Sequence, residues 1–211
     1  MRVPALPDYY KTILKIIQRH YPSAIIGGGA LRDLVWGGAV KDIDVFINIA
    51  DGTLADRLPD LERDLQAQKT EISRMNYYGK ADEVGKSALL HVSPLGSLGD
   101  TPPINVVEIA LPKSEPYFEA FVRKRMDFGA CQLTYDGNLV RMSSAAEKDL
   151  AENTLTLMRA ESEEGVQRSL RRAERLVGRY PGLTFEVTFP RRLPNCIESF
   201  LKGSSLVQQM D

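Results

Sequence analysis

The sequence has few of the residues that build disulfide frameworks or zinc sites. It contains two cysteines, Cys131 and Cys196, and two histidines, His20 and His91, among 211 residues. Their number and spacing fit neither the cysteine framework of a small secreted protein nor a structural zinc site. We therefore expect a reduced intracellular protein, and we interpret both histidines as structural residues.

The chain also lacks a long apolar run and an excess of charge of one sign. No stretch approaches the length of a membrane-spanning helix, and the N-terminus has no apolar segment typical of a secretory signal. The net charge of −1 argues against an overall electrostatic nucleic-acid binder and leaves room for a local basic patch. We expect a cytoplasmic protein with no membrane partner, and the oligomeric state stays open.

Apolar residues are plentiful enough for a substantial core. Hydrophobic residues make up 43% of the sequence, which suffices for one domain or for one domain with a helical annex. Strand patterns occur up to about residue 145, and the chain beyond Ser143 has a helical pattern to about Arg179. This division predicts a head of helices and strands followed by a helical neck.

A glycine-rich turn is the first motif with chemical meaning. Ile25 and Ile26 predict a buried strand, and the glycines after them predict a turn into a helix. The first N–H groups of such a helix can bind a phosphate, and Gly28 and Gly29 let the phosphate approach the backbone closely. We therefore expect phosphate groups to bind at this turn.

A strand with two aspartates follows the turn. Residues 41–47 read K-D-I-D-V-F-I, and their alternation and β-branched content are typical of a strand. Asp42 and Asp44 share one face of it, because side chains two residues apart point the same way. Adjacent like charges destabilise a strand unless a cation offsets them, and Mg²⁺ sharing its shell with phosphate oxygens is the expected cation. Together with the turn, this pair predicts phosphoryl or nucleotidyl transfer.

At these residues the chain resembles the head domain of class II tRNA CCA-adding enzymes and bacterial poly(A) polymerases, in the DNA polymerase β nucleotidyltransferase superfamily. The family pattern is G-G-x-x-R-D after a strand, then a short helix, then D-x-D, and residues 28–33 and 42–44 fit it without a gap. The resemblance implies an α+β fold. A nucleotidyltransferase head with a mixed β-sheet flanked by helices would occupy residues 1–145, and a small helical neck with the C-terminal segment would occupy residues 146–211.

Glu108 is a candidate for a third metal-binding carboxylate. It lies between Val107 and Ile109 on a predicted strand, so its side chain opposes theirs. A carboxylate from a neighbouring strand often completes the metal site in this superfamily; the alternative is a solvent-facing strand residue. In the first case Asp42, Asp44 and Glu108 are the catalytic and metal-binding residues, and two Mg²⁺ ions about 3.5–4 Å apart would bind the attacking oxygen and the transferred phosphoryl group.

A second segment resembles the family's motif R-R-D-F-T-x-N-A-L, which helps to hold the sugar and phosphates of the incoming nucleotide. Arg125 and Asp127 fit this motif, whereas Met126 replaces an arginine and Cys131 replaces an asparagine. The resemblance therefore implies altered sugar discrimination. The alternative is an ordinary strand that leads into a hairpin.

A third segment, residues 164–171, lies over the family's E-D-x-x-R-x-x-R, in which an acid and an arginine read the base edge. Arg168 and Arg171 are three residues apart and share a helix face, and guanidinium groups supply the fixed donors that base reading needs. Gly165 stands where the family has its aspartate, which predicts base selectivity unlike that of CCA-adding enzymes. The alternative is a solvent-exposed basic helix face.

The resemblance as a whole implies a metal-dependent nucleotidyltransferase with Mg²⁺ as cofactor and a nucleoside triphosphate as substrate. The triphosphate would bind at Gly28 and Gly29 with Arg32 as a charged clamp. The remaining predicted nucleotide-binding residues are Arg125, Asp127, Arg168 and Arg171.

CCA-adding enzymes continue into a long helical body and tail, so we expect a compact form that acts alone or with a partner protein. The acceptor hydroxyl would belong to an RNA 3′ end, a protein or a small molecule. A second hypothesis is a regulatory module that binds nucleotide without turnover. Met126, Cys131 and Gly165 favour this second hypothesis, and Arg32 and the two aspartates favour the enzyme.

Overall fold

The computed structural model describes residues 5–75, 85–92, 101–159 and 163–187. Cys196 and the end of the predicted C-terminal segment lie outside these residues. The helices are α1 (Asp8–His20), α2 (Gly29–Val35), α3 (Leu54–Asp64), α4 (Phe118–Lys124), α5 (Ser144–Glu152) and α6 (Glu163–Arg179). The strands are β1 (Ile25–Gly27), β2 (Ile43–Asn48), β3 (Ala67–Met75), β4 (Gly85–Val92), β5 (Ile104–Ile109), β6 (Leu133–Tyr135), β7 (Val140–Met142), β8 (Thr154–Leu157) and β9 (Thr184–Val187).

Seven strands form one mixed sheet in the order β3-β4-β5-β2-β1-β6-β7. Strands β2 and β5 run parallel, and every other neighbouring pair is antiparallel. The remaining strands, β8 and β9, form a separate parallel pair. The predicted α+β fold with a mixed sheet and flanking helices is confirmed.

The side chains of β2 differ between the two faces of the sheet, one of which is apolar and the other of which carries polar residues. Ile43, Val45 and Ile47 have no exposed surface and belong to the hydrophobic core. Because side chains alternate along a strand, Asp44 and Asn48 point to the opposite face. The candidate site is on this second face.

The region after Ser143 differs from the continuous helical pattern that the sequence predicts to about Arg179. Helix α5 ends at Asn153, whose left-handed backbone (φ 53°) closes the helix. Strand β8 follows at once. It precedes α6 in the chain and pairs with β9, which follows α6. The Thr-Leu-Thr-Leu sequence of β8 suits a strand, because β-branched threonines favour extended backbone. The neck is therefore two helices with a two-stranded sheet.

Asp149 joins the neck to the head through a buried carboxylate. One of its oxygens accepts hydrogen bonds from the backbone N–H groups of Ala130 (2.7 Å) and Thr156 (3.0 Å). The other oxygen accepts from the hydroxyls of Thr154 (3.0 Å) and Thr156 (2.6 Å). Buried carboxylates are stable when hydrogen bonds satisfy them in this way. Asp149 thus has a structural role.

No helix in the described ranges has the length and apolarity needed to span a membrane.

Candidate nucleotide and metal site

The glycine turn lies directly beside the aspartate strand. Gly28 is the residue before α2 and has φ 79°, a conformation that favours glycine. Its N–H donates to the Leu133 carbonyl at 3.1 Å, which holds the turn against β6. A Cβ on Gly28 would lie 3.5 Å from Met126 Sδ and 3.9 Å from Asp44 Oδ2. The predicted phosphate turn and the predicted metal-binding strand therefore form one site.

Asp42 and Asp44 stand at the start of β2, and Asp44 is half-buried. Asp44 Oδ1 accepts a hydrogen bond of 2.7 Å from Asn105 Nδ2, on the neighbouring strand β5. Burial and the charge of Asp42 raise the pKa of Asp44 to about 6, against the opposing effects of Asn105, Arg172 and Arg32. The fold thus keeps two carboxylates side by side where their repulsion is costly.

This pair fits a divalent cation by its chemistry. Carboxylate oxygens are the ligands that Mg²⁺ prefers, and a cation would relieve the repulsion between Asp42 and Asp44. Within the described ranges, no group of three or more acidic, histidine or cysteine side chains is placed to hold a metal ion. The candidate metal ligands in the described structure are these two carboxylates.

Glu108 does not join this pair, and the prediction that it is a third metal ligand is wrong. It pairs in register with Ile47, so its side chain lies on the apolar face of the sheet, opposite Asp44. Its carboxylate is buried and accepts hydrogen bonds from the N–H groups of Leu54, the first residue of α3, and Lys86. A carboxylate at a helix N-terminus stabilises the helix. Glu108 therefore anchors α3 to the sheet.

Arg32 is buried below the glycine turn. Its Nε and Nη2 donate to Asp33 Oδ1 at 2.8 and 2.6 Å, and its Nη1 donates to Cys131 Sγ at 3.0 Å. A Cβ on Gly29 would lie 3.3 Å from Arg32 Nη2, so the guanidinium is in contact with the turn. Only 6% of Arg32 is exposed. In this state Arg32 supports the turn from inside and does not reach out as a clamp.

The second motif contributes one buried and one accessible residue. Arg125 is buried, and its guanidinium lies over the Phe121 ring, 5.0 Å from the centroid. Asp127 is half-buried and accepts hydrogen bonds from Ser169 Oγ at 2.9 Å and from Arg172 Nη1 at 3.0 and 3.1 Å. Asp127 therefore links the head to α6. The sequence did not suggest these two partners, and the nucleotide-binding role of Asp127 stays a prediction.

Within the described ranges, Arg172 of α6 pairs with Asp127, and Arg168 and Arg171 do not. Arg172 binds Asp127, and its charge also favours the ionised form of Asp44. Arg168 and Arg171 are exposed on the solvent side of the helix. The apolar positions of α6 set its phase, and their spacing was the signal that could have identified Arg172. Asn105 was also missed, since its role depends on the register between β2 and β5.

The end of α6 holds the loop before Asp42. Arg179 donates to Asp33 Oδ2 at 3.3 Å and to the Ala39 carbonyl. The next residue, Tyr180, packs so closely that a Cβ on Gly38 would lie 2.0 Å from its hydroxyl oxygen. Asp33 is thereby paired with an arginine on each oxygen. Helix α2 and the loop between α2 and β2 are therefore tied to the end of α6.

Comparisons with known proteins support this fold. No protein-family model and no curated protein matches the chain. Among solved structures, a CCA-adding enzyme in apo form I matches with a TM-score of 0.60 and 19% identity, over 96% of this chain and 46% of that one. The complex of a CCA-adding enzyme with ATP matches with a TM-score of 0.58 and 15% identity, over 95% and 44%.

The Thermotoga maritima CCA-adding enzyme complexed with tRNA also matches, with a TM-score of 0.57 and 16% identity, over 96% of this chain and 45% of that one. The chain thus spans just under half the length of these structures. At these identities the similarity is one of fold. The resemblance that the glycine and aspartate motifs suggested is confirmed at that level: the chain has the same fold as the matching part of these CCA-adding enzyme structures.

Proposed function

We propose that the chain is a Mg²⁺-dependent nucleotidyltransferase that transfers a nucleoside monophosphate from a nucleoside triphosphate to the 3′-hydroxyl of an RNA. The observation that carries the proposal is the closeness of the Gly28 turn to Asp44: a Cβ on Gly28 would lie 3.9 Å from Asp44 Oδ2. Solved structures of the same fold include a complex with ATP and a complex with tRNA, which supports both the donor and the acceptor.

The glycine turn would bind the triphosphate. The N–H groups at the start of α2 have no partner within the helix, so they can donate to phosphate oxygens. Arg32 adds a buried positive charge directly under Gly29, where solvent does not screen it. We propose that Arg32 acts through this charge and by keeping the turn in shape.

Asp42 and Asp44 would hold the metal, which when bound supplies a Lewis acid for the acceptor hydroxyl and for the departing pyrophosphate. Asn105 fixes the orientation of Asp44 through one oxygen and leaves Oδ2 beside the turn. The acceptor oxygen forms a bond to the α-phosphorus, and the bond from that phosphorus to the pyrophosphate breaks. The two carboxylates and the turn are so placed that donor phosphates and acceptor oxygen would meet between them.

The rest of the nucleotide would contact the surface between the second motif and α6. Asp127 and Arg172 lie at this surface, and the half-exposed Arg172 is the arginine of α6 that can exchange Asp127 for a nucleotide. Arg125 would support the surface from its buried position on Phe121. Within the described ranges Arg168 and Arg171 form no ion pair with Asp127, and we assign them another role below.

A binding module without turnover is the second candidate, and the burial of Arg32 favours it. All three nitrogens of that guanidinium donate to Asp33 or Cys131 and the side chain is buried, so it does not extend to the outer phosphates in this structure. Under this alternative the chain would bind the triphosphate and leave it intact.

One experiment separates the two candidates. The protein is incubated with Mg²⁺, an RNA pool and each α-labelled triphosphate in turn, and label on RNA is measured after electrophoresis. We expect transfer that Asp42→Asn and Asp44→Asn abolish and that Asp136→Asn, on the β6–β7 hairpin, leaves intact. Triphosphate binding with no transfer to RNA or to any added protein would establish the binding module and refute the proposal.

A further inference from the structure

Five arginines lie on one side of helix α6. At 3.6 residues per turn they fall within an arc of about 100° around the helix axis. They are Arg168, Arg171, Arg172, Arg175 and Arg179. The opposite side of the helix is apolar and buried, with Val166, Leu170, Ala173 and Leu176 in the core. The sequence therefore gives α6 a clear division into a core side and a cationic side.

Three of these five arginines are exposed and have no partner in the described structure. Arg168, Arg171 and Arg175 are open to solvent, and within the described ranges their side chains form no ion pair or hydrogen bond. Glu164 is an acidic residue on the same side, one turn before Arg168. The whole chain has 27 basic and 28 acidic residues, so this concentration of charge is local. We call these three residues the arginine row.

The arginine row runs along the rim of the candidate site. Arg172 binds Asp127 beside the site, and Arg179 binds Asp33 and the Ala39 carbonyl, three residues before Asp42. Arg175 lies between these two arginines on the helix. A polyanion bound to the row would therefore end within reach of the carboxylate pair.

We propose that the arginine row binds the phosphate backbone of a single-stranded RNA whose 3′ end lies at Asp42 and Asp44. This inference rests on the proposed function, because it names the surface that holds the acceptor. A face of guanidinium groups suits a phosphate backbone, whereas protein interfaces combine arginine with apolar and aromatic anchors. The exposed positions of α6 provide no such anchor. The arginines that the sequence suggested for base reading would then hold the acceptor.

The test measures RNA affinity without nucleotide, using fluorescence anisotropy of a labelled single-stranded RNA over a range of salt concentrations. The variant carries Arg168→Gln, Arg171→Gln and Arg175→Gln together. The matched control carries Lys11→Gln, Lys15→Gln and Arg19→Gln, which removes the same charge from three exposed positions of α1. All six positions are exposed, and circular dichroism and the Tm confirm that both variants fold.

We expect the α6 variant to bind RNA about a hundredfold more weakly at 0.1 M salt, and the slope of log K against log salt to become less steep by about 2, since each single-strand phosphate contact contributes about 0.7. The α1 control should keep both values. Equal losses in the two variants, or an unchanged affinity in the α6 variant, would overturn the inference. Binding of polyglutamate as tight as that of RNA would overturn it as well.

The experiments distinguish a failure of the RNA-binding inference from a failure of the proposed nucleotidyltransferase function. If the row binds RNA as expected and no label is transferred, the nucleotidyltransferase assignment fails and the surface stands. If the protein labels another acceptor and has no affinity for RNA, the surface is refuted and nucleotidyl transfer stands.

Discussion

Replacing Glu108 and Asp44 one at a time should separate stability from chemistry. Glu108 is 7% exposed and accepts hydrogen bonds from the N–H groups of Leu54 and Lys86. In Glu108→Gln, one carboxylate oxygen becomes an NH₂ group, which cannot accept, so one N–H loses its partner. A buried unsatisfied donor costs about 1–3 kcal/mol, and the lost charge at the start of α3 adds to it.

For a chain of this size each kcal/mol corresponds to about 2–4 °C in Tm. We therefore expect Glu108→Gln to melt about 2–12 °C lower while folded protein keeps its transfer activity. Asp44→Asn should do the reverse. It removes one of two adjacent negative charges and can still accept from Asn105, so its Tm should equal or exceed that of the wild type, while transfer falls about 100-fold or more.

The assays are thermal unfolding by circular dichroism, without added metal, and label transfer per mole of folded protein at a temperature where both variants are folded. The result that refutes this reasoning is loss of transfer in Glu108→Gln at an unchanged Tm. That outcome would mean that Glu108 acts in the reaction, and that its hydrogen bonds to α3 are of little consequence.

The other variants test single contacts. Asp149→Ala leaves two N–H groups and two hydroxyls without their acceptor, and we expect a loss of about 4 kcal/mol or more in urea unfolding; a loss below 1 kcal/mol would contradict the structural role. Gly38→Ala places a Cβ 2.0 Å from the Tyr180 hydroxyl, so we expect the Tm to fall and amide exchange in residues 36–41 to accelerate. Arg172→Ala should weaken triphosphate binding about tenfold, measured by titration calorimetry, while Arg168→Ala should not; equal effects would refute the assignment of Arg172.

The glycine and aspartate motifs could be predicted because each is local in the sequence. A turn that needs φ 79° at Gly28 and a strand with aspartates two residues apart depend only on neighbouring residues. The alternation of side chains along β5 predicts that Glu108 points away from Val107 and Ile109, and the structure agrees. Which of the two faces also carries Asp44 depends on the pairing of β5 with β2, which neither strand encodes alone.

Two features of the neck were also beyond prediction from local sequence, because they depend on contacts between distant segments. Strand β8 is four residues long and gains its stability from β9, which lies beyond α6, so a local pattern could not reveal it. The choice of Arg172 over Arg168 depends on the phase of α6 against the head. Val166, Leu170, Ala173 and Leu176 define that phase, and a helical projection of these positions would have put Arg172 at its edge.

The distribution of ion pairs among the aspartates is the most direct indication of the functional site. Four aspartates belong to the motifs of the candidate site, and two of them, Asp33 and Asp127, are paired with arginines. In the described part of the chain, Asp42 and Asp44 form no ion pair with an arginine, although burial and the charge of Asp42 raise the pKa of Asp44. Under the proposed function, a bound cation would supply the interaction that Asp42 and Asp44 lack in the protein alone.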